Sequence, residues 1–316
     1  TTFLVGLFIL AGMGFSGSFV FYNAYLPEIA TEDRFDRISA RGFSMGYIGS
    51  VLHLIFCLSM LLKPEWYGNI DSGLAARISF LLVGIWWFGF AQITFFFLPK
   101  DKSAKAKEKN WIFNGFKELK KVFKQVKTLP NLKRYLLAFF FYNMGVQTVM
   151  YVATIFAEKE LRLPSSNLIT TILLLQLIAI PGAIISSRIS MRWGNIVSIF
   201  IQLFVWIGIT IAAYFVRNGI DFYVLACVVG LVMGGIQSIS RSTYSKLIPE
   251  NTTDNASFFS FYEVVDKMGI VLGTFSYGLL EAVTGSARNS VITLGIFFIL
   301  SLIFLKGLFK WNKSLV

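Results

Sequence analysis

The sequence predicts an all-α integral membrane protein, and three observations predict it. Hydrophobic residues make up 55% of the 316 and charged residues only 15%, with a mean hydropathy of +0.66. Soluble domains carry about 25% charged residues, so lipid has to serve as part of this chain's solvent. Apolar stretches long enough to cross about 30 Å of hydrocarbon recur along the chain. Basic residues collect between those stretches rather than inside them. The stretches are continuously apolar instead of alternating, which speaks against a membrane barrel.

Nine spans are expected, at 3–25, 42–62, 78–98, 135–157, 168–187, 195–216, 222–243, 257–281 and 289–308. The first carries Tyr22 and Asn23 at its inner end. The second holds Gly42, Gly46 and Gly49, small residues that let helices approach closely, and a lone mid-span His53. Such a histidine is either a hydrogen-bonded packing residue or a proton relay. After the third span comes a long loop, Pro99 to Arg134. There Ile112, Phe113, Phe116, Leu119, Val122, Phe123 and Val126 recur at helical spacing among lysines. That pattern predicts an amphipathic helix from Trp111 to Leu129 lying on the inner leaflet, as a linker or a regulatory element.

In the fourth span Asn143 and Gln147 share a face at i, i+4, with Tyr142 beside them. Buried amides cost energy unless satisfied, so they either bond neighbouring helices or line a wet cavity. The fifth span holds Gln176 at its middle and Pro181-Gly182 near its inner end, where a kink or break is expected. The seventh carries Gly230 and Gly234, with Gln237 as a further polar candidate, and the eighth carries Gly269 and Gly273.

The eighth span is the outlier, because it contains Glu263, Asp266 and Lys267. A charge at the bilayer centre costs about 2.5–3.5 kcal/mol even on the lenient insertion scale. These groups must therefore face protein or water. Glu263 and Lys267 are four residues apart and share a helix face. The triad's formal charge of −1 leaves one carboxylate without an internal partner. Three readings remain open: an ion-pair network that fixes packing, a group handling a proton or other coupling ion, and a direct solute contact.

Orientation follows from Lys and Arg in the loops. Taking the long loop as cytoplasmic leaves Lys63, Arg77, Lys159, Arg162, Arg217 and Arg288 on the opposite side and Lys267 inside a span. The rest of the 29 Lys and Arg fall on the cytoplasmic side. The formal charge of +12 is therefore topological, and nucleic acid is not an expected partner. The lipid bilayer is. Nine spans with a cytoplasmic C-terminus place Thr1 outside, with neither an initiator Met nor a basic leader before it. Three spans precede the long loop and six follow it, so three missing helices would restore a six-plus-six arrangement of repeated bundles. Truncation is expected.

Several activities find no support. The chain contains no G-x-x-x-x-G-K-[ST] phosphate loop, no H-E-x-x-H and no G-x-S-x-G. Cys57 and Cys227 lie in apolar runs as small buried hydrophobes. No cofactor, metal or enzymatic activity is expected. Ser240-Arg241-Ser242 and the acids of the eighth span form no catalytic set.

The segment Phe21-Tyr22-Asn23-Ala24-Tyr25-Leu26-Pro27-Glu28-Ile29-Ala30, with Arg37, Ser39, Arg41-Gly42 and Gly46-Tyr47-Ile48-Gly49, resembles the vacuole-effluxer-like family of the major facilitator superfamily. So does Gln237-Ser238-Ile239-Ser240-Arg241-Ser242, with Leu247-Ile248-Pro249 and Phe258-Phe259-Ser260-Phe261-Tyr262 beyond it. Ser187-Arg188-Ile189-Ser190-Met191-Arg192-Trp193-Gly194 is similar to a degenerate copy of that superfamily's Gly/Arg-rich loop. The resemblance implies a major-facilitator-type bundle with nine of twelve helices present. Residues 1–98 would be an incomplete first bundle, 99–134 a basic linker and 135–316 a six-helix second bundle.

It further implies a monomeric permease of the cytoplasmic membrane, secondary active or facilitative, that works by alternating access. Its solutes would be amino acids or similar small polar molecules, with a proton as coupling ion. The fourth and seventh spans would line the cavity, and the second, fifth and eighth would lie between the halves. His53 and the triad would then sit where the halves move. Asn143, Gln147, Tyr142, Gln237, Tyr22 and Asn23 are the candidate solute contacts. Asp266 is expected to stand where many relatives have a small residue, so the triad's role is not carried over from the family. A membrane scaffold or sensor of the same fold is the alternative; a continuous polar cavity among Asn143, Gln147 and Gln237 would separate the two.

Overall fold

The computed structural model describes residues 2–98, 111–249, 252 and 254–313, and among these every regular element is helical. In chain order the helices are α1 Thr2–Ala24, α2 Leu26–Ile29, α3 Phe35–Leu62, α4 Ser72–Phe97, α5 Trp111–Thr128, α6 Pro130–Leu161, α7 Ser165–Trp193, α8 Asn195–Phe215, α9 Gly219–Leu247, α10 Asn255–Thr284, α11 Ala287–Thr293, α12 Gly295–Lys306 and α13 Phe309–Lys313. The basic stretch 99–110 of the expected long loop lies outside the described residues.

Eight segments are long and apolar enough to cross a membrane, and they match eight of the nine expected stretches. The other, 257–281, forms the 30-residue α10, but Glu263, Asp266, Lys267 and Glu281 lower its apolarity. Several helices overrun the apolar stretch that announced them. α3 begins at Phe35 rather than 42, and α9 continues to Leu247 rather than 243. The last span is two pieces, α11 and α12, meeting at Leu294.

Local chemistry explains the starts and stops. The side chains of Asp71, Asn218, Asp254 and Ser286 accept from backbone N–H groups in the first turns of α4, α9, α10 and α11; such caps satisfy donors that a helix start leaves free. Pro130 opens α6, where its missing N–H costs nothing. Gly285 closes α10 in the left-handed region, at φ 65°. Pro181 does not break α7, which runs unbroken from Ser165 to Trp193.

Small residues set the packing. α7 and α9 cross so closely that a Cβ on Gly182, Gly230 or Gly234 would strike the backbone carbonyl of Leu231, Leu175 or Ala179. Gly269 and Gly273 bring α10 onto α6 beside Asn143, Met144 and Thr148. The glycine face expected in the second span reduces to Gly42: nothing lies within 4 Å of a Cβ on Gly46, and only Trp86 Nε1, at 4.0 Å, approaches one on Gly49.

α3 packs on α7 and α9, α1 on α10, and α4 on α3. Phe3, Phe8, Phe80, Phe95, Phe96 and Phe97 of α1 and α4 stay exposed, a surface suited to lipid. α5 is amphipathic as expected: Val122 and Val126 are buried where it meets α6 and α10, while Phe116 and Phe123 remain exposed.

Candidate functional site

α1, α7, α9 and α12 finish at the end of the bundle where α3, α6, α8 and α10 begin, and α5 lies there too. At this α5 end a polar seam joins α1 and α3 to the later helices.

Its outermost layer surrounds Asp36, which is 2% exposed. Lys246 Nζ of α9 lies 3.0 Å from Asp36 Oδ2, and Ser190 Oγ of α7 donates to the same oxygen at 2.8 Å. Asn195 of α8 donates to Asp36 Oδ1 at 2.7 Å and accepts from Lys246 at 2.8 Å. Four helices meet on one carboxylate. A middle layer surrounds Arg241, 4% exposed. Its Nε donates to Ser39 Oγ at 2.9 Å, Nη2 to the Ser39 carbonyl at 3.0 Å and Nη1 to Asn23 Oδ1 at 3.4 Å. The guanidinium is held between the rings of Tyr22 and Phe43, at 4.7 and 4.8 Å. Gly42 leaves room for this, since a Cβ there would meet the Tyr22 hydroxyl at 2.6 Å. Among the described residues no carboxylate forms an ion pair with Arg241. Deeper still, Tyr47 donates to Gln237 Oε1 at 2.6 Å and Ser44 to the Ile180 carbonyl at 3.4 Å.

The triad of α10 adjoins this seam. Lys267 Nζ is 2.8 Å from Asp266 and 3.6 Å from Glu263, so it bridges both acids. Asn143 donates to Asp266 Oδ1 at 3.0 Å and Gln147 at 3.5 Å. Asn23 of α1 donates to Glu263 Oε1 at 3.0 Å. The unpaired negative charge of the triad and the uncompensated Arg241 are thus joined through one amide, and the four ionised groups sum to zero. Placed close, they soften the desolvation cost each would bear alone. Glu263 and Lys267 also line a groove of about 640 Å³ between α1 and α10, whose wall is otherwise formed by groups such as Gly17, Val20, Met268 and Leu272.

The candidate solute contacts are brought to this region, each engaged with a protein partner. Asn143 and Gln147 grip Asp266, Gln237 holds Tyr47, and Tyr22 and Asn23 hold Arg241. Tyr142 is buried, its hydroxyl 2.6 Å from Ser240 Oγ and 3.2 Å from the Tyr135 hydroxyl, within an aromatic cluster that includes Phe139, Tyr244, Phe259 and Tyr262. His53 lies elsewhere. Its Nε2 is 3.4 Å from Cys57 Sγ, one turn on, and its ring is 5.4 Å from Trp86 of α4. It therefore faces α4 and not the seam, because α3 turns its opposite side to α7. Gln176 Oε1 is buried, with no hydrogen-bond partner among the described residues.

Asp36, Asn195 and Lys246 are seam residues that sequence reasoning did not select as site candidates, and Ser39, Tyr47, Ser190 and Arg241 entered only as parts of motifs. Arg241, in the last turn of the expected 222–243 span, and Lys246, beyond it, read as charges at the loop end of that span, although the helix runs on to Leu247. A serine-rich run at helical spacing, Ser238, Ser242 and Ser245, was the available signal that the last turns of α9 are buried.

In sequence and overall fold the chain is similar to known proteins. Residues 2–315 match the model of the family described as vacuole effluxer Atg22 like. A Bacillus subtilis (strain 168) protein named as an uncharacterized MFS-type transporter, YxiO, is 30% identical over 303 residues, which is 96% of this chain and 70% of that protein. Autophagy-related protein 22 of Kluyveromyces lactis is 26% identical over 292 residues, 86% of this chain and 58% of that protein. The crystal structure of a variant of the E. coli fucose:proton symporter, FucP, shares the fold with a TM-score of 0.68 at 14% identity, covering 96% of this chain and 76% of that one.

Proposed function

This chain belongs to the vacuole effluxer Atg22-like family, and from that premise we propose that it moves small solutes across the cytoplasmic membrane by alternating access, without ATP. The observation that carries the reading is the seam. Hydrogen bonds and ion pairs join α1 and α3 to α7–α10 through Asn23, Asp36, Ser39, Ser44 and Tyr47, all in the α5-end half of the bundle. A barrier assembled between two groups of helices at one end is what an alternating-access carrier has to open and close.

The lysine-rich α5 end is cytoplasmic in this reading, by the bias of basic residues, and so is the C-terminus. Residues 1–98 and 135–316 act as the two moving parts, 99–134 links them, and α10 is the eighth of nine spans. The protein acts as a monomer. Opening the seam releases Tyr22, Asn23 and Gln237 from partners in the other part and uncovers Tyr142, Asn143 and Gln147 beside them, and these donors and acceptors then suit a small polar solute, with amino acids the first class to test. Glu263, Asp266 and Lys267 are the coupling group, with a proton as the co-transported ion. His53 packs against α4 and takes no part.

A scaffold or sensor of the same fold would keep the seam shut and move nothing, and the engagement of Asn143 and Gln147 with Asp266 and of Gln237 with Tyr47 is what that alternative has in its favour. Counterflow decides between them. Full-length protein in liposomes preloaded with a mixture of the common amino acids should accumulate a labelled one against no net gradient. Absence of counterflow for every amino acid removes that solute class, and a barrier that never opens removes transport itself.

A further inference from the structure

The strongest unassigned feature is the single amide shared by an acid and a base from two different helices. Asn23 is 5% exposed in the last turn of α1. Its Nδ2 donates to Glu263 Oε1 at 3.0 Å, and its Oδ1 accepts from Arg241 Nη1 at 3.4 Å. Neither neighbour tolerates the reverse arrangement while charged. A guanidinium only donates, and an ionised carboxylate only accepts. With Glu263 ionised, the amide therefore has one satisfactory orientation, and in that orientation it pins Arg241 against α1.

We infer that the Asn23 amide is a positioning element that transmits proton uptake at Glu263 to opening of the cytoplasmic seam. The inference rests on the alternating-access reading given above. Glu263 Oε2 faces the Lys267 ammonium at 3.6 Å, itself a donor, so an added proton belongs on Oε1, the oxygen facing Asn23. The carboxyl then donates to the amide oxygen, and the amide turns over. Its NH2 now points at the guanidinium, donor against donor, and Arg241 loses its hydrogen bond to α1 while keeping Ser39 and the Tyr22 ring. The step takes up one proton, and no other bond changes.

The surroundings leave Glu263 as the group that switches. On α10 it faces Asp266, Lys267 and the Tyr262 hydroxyl. α1 brings only Asn23 and Tyr22, and α9 brings Arg241 beyond the amide. α6 brings Tyr142, engaged with Ser240, and the amides on Asp266. α5 meets α10 through Phe123 on Phe261, and its Glu118 and Lys121 lie beside Asp254 at the helix start. α11 contributes Arg288, paired with Glu160 at the far end.

Spin-label distances test this without knowledge of the solute. In full-length protein with Cys57→Ser and Cys227→Ser, labels at Glu32→Cys and Met191→Cys report the gap between α3 and α7 in nanodiscs from pH 8 to pH 5. The expected result is two populations in the parent protein, with acid changing the closed-to-open ratio by about tenfold, a common size for coupling between sites. Asn23→Leu and Glu263→Gln should flatten that response. If Asn23→Leu does not elute as folded protein, Asn23→Ser, too short to reach both neighbours, should flatten it instead. An acid response of parental size in the Asn23 variant overturns the inference, and so does a parent protein with two populations and no acid response; alternating access survives either result. One fixed distance in every protein and at every pH would instead remove the alternating-access reading itself.

Discussion

Lys246 of α9 and Asp36 of α3 lie 3.0 Å apart with 10% and 3% of their side chains exposed. Removing one partner of a buried pair costs about 3–5 kcal/mol, because the other charge is stranded, whereas replacing both is often close to neutral. Asp36→Ala should therefore lower the apparent unfolding temperature markedly. Asp36→Ala combined with Lys246→Met should recover much of the loss. Tryptophan fluorescence during heating in detergent reads both. Equal losses in the single and double variants would mean that the pair is not what holds the seam.

The crossing of α7 and α9 gives a sharper contrast. A Cβ at position 234 runs into the backbone carbonyl of Ala179, which has no flexible end to move aside, while one at 278 meets nothing within 4 Å. Overpacking of this kind costs about 1–3 kcal/mol. Alanine in an exposed helix position is favoured over glycine by about 1 kcal/mol. Gly234→Ala should reduce thermal stability and Gly278→Ala should preserve or raise it. The same heating experiment compares them, and the reverse ranking would show that the two helices do not meet at Gly234.

The long apolar runs made most of the bundle legible before any coordinates, because hydrocarbon thickness dictates their length. α5 was legible for the same kind of reason: Val122 and Val126 recur at helical period among lysines. What periodicity does not carry is which face of a helix meets which distant helix. His53 looked like Glu263 in sequence, an ionisable group in an apolar run, yet it faces α4. The triad's imbalance was readable from charge alone, but its compensation was not, since Asn23, Arg241 and Glu263 are brought together only by packing of α1, α9 and α10. Helix ends hid the rest. Asp36, Arg241 and Lys246 lie in turns where hydropathy has already fallen, so buried seam charges looked like loop charges.

Asp266 is held by Lys267 and by the Asn143 and Gln147 amides. Asp266→Asn removes a negative charge next to Glu263 and leaves Lys267 to that acid alone, so both changes favour ionised Glu263. The acid limb of transport in the reconstituted variant should move to lower pH. Asn143→Leu deprives a part-buried carboxylate of a donor at a cost of about 1–3 kcal/mol and should reduce thermal stability without the same displacement. Transport indifferent to pH from 5 to 8 in both the parent and Asp266→Asn would eliminate proton coupling through this group.

At the far end two ion pairs look alike in distance and differ in environment. Lys159 and Glu281 approach to 2.9 Å, but the lysine side chain is 60% exposed. Exposed pairs contribute about 0–1 kcal/mol, so Lys159→Ala should hardly change stability. Arg288 reaches Glu160 at the same 2.9 Å with both side chains about three-quarters buried. Its Nη1 also donates to the Tyr214 and Val216 carbonyls at 2.8 and 2.6 Å, tying α6, α8 and α11 together. Lysine has a point charge where this site uses a planar fork, so Arg288→Lys should lose about 1–3 kcal/mol by the cost of unsatisfied buried acceptors. Heating scans of the two variants side by side check the ranking. A Lys159→Ala variant less stable than Arg288→Lys would mean that distance, not burial and fork geometry, governs how this end of the bundle is held.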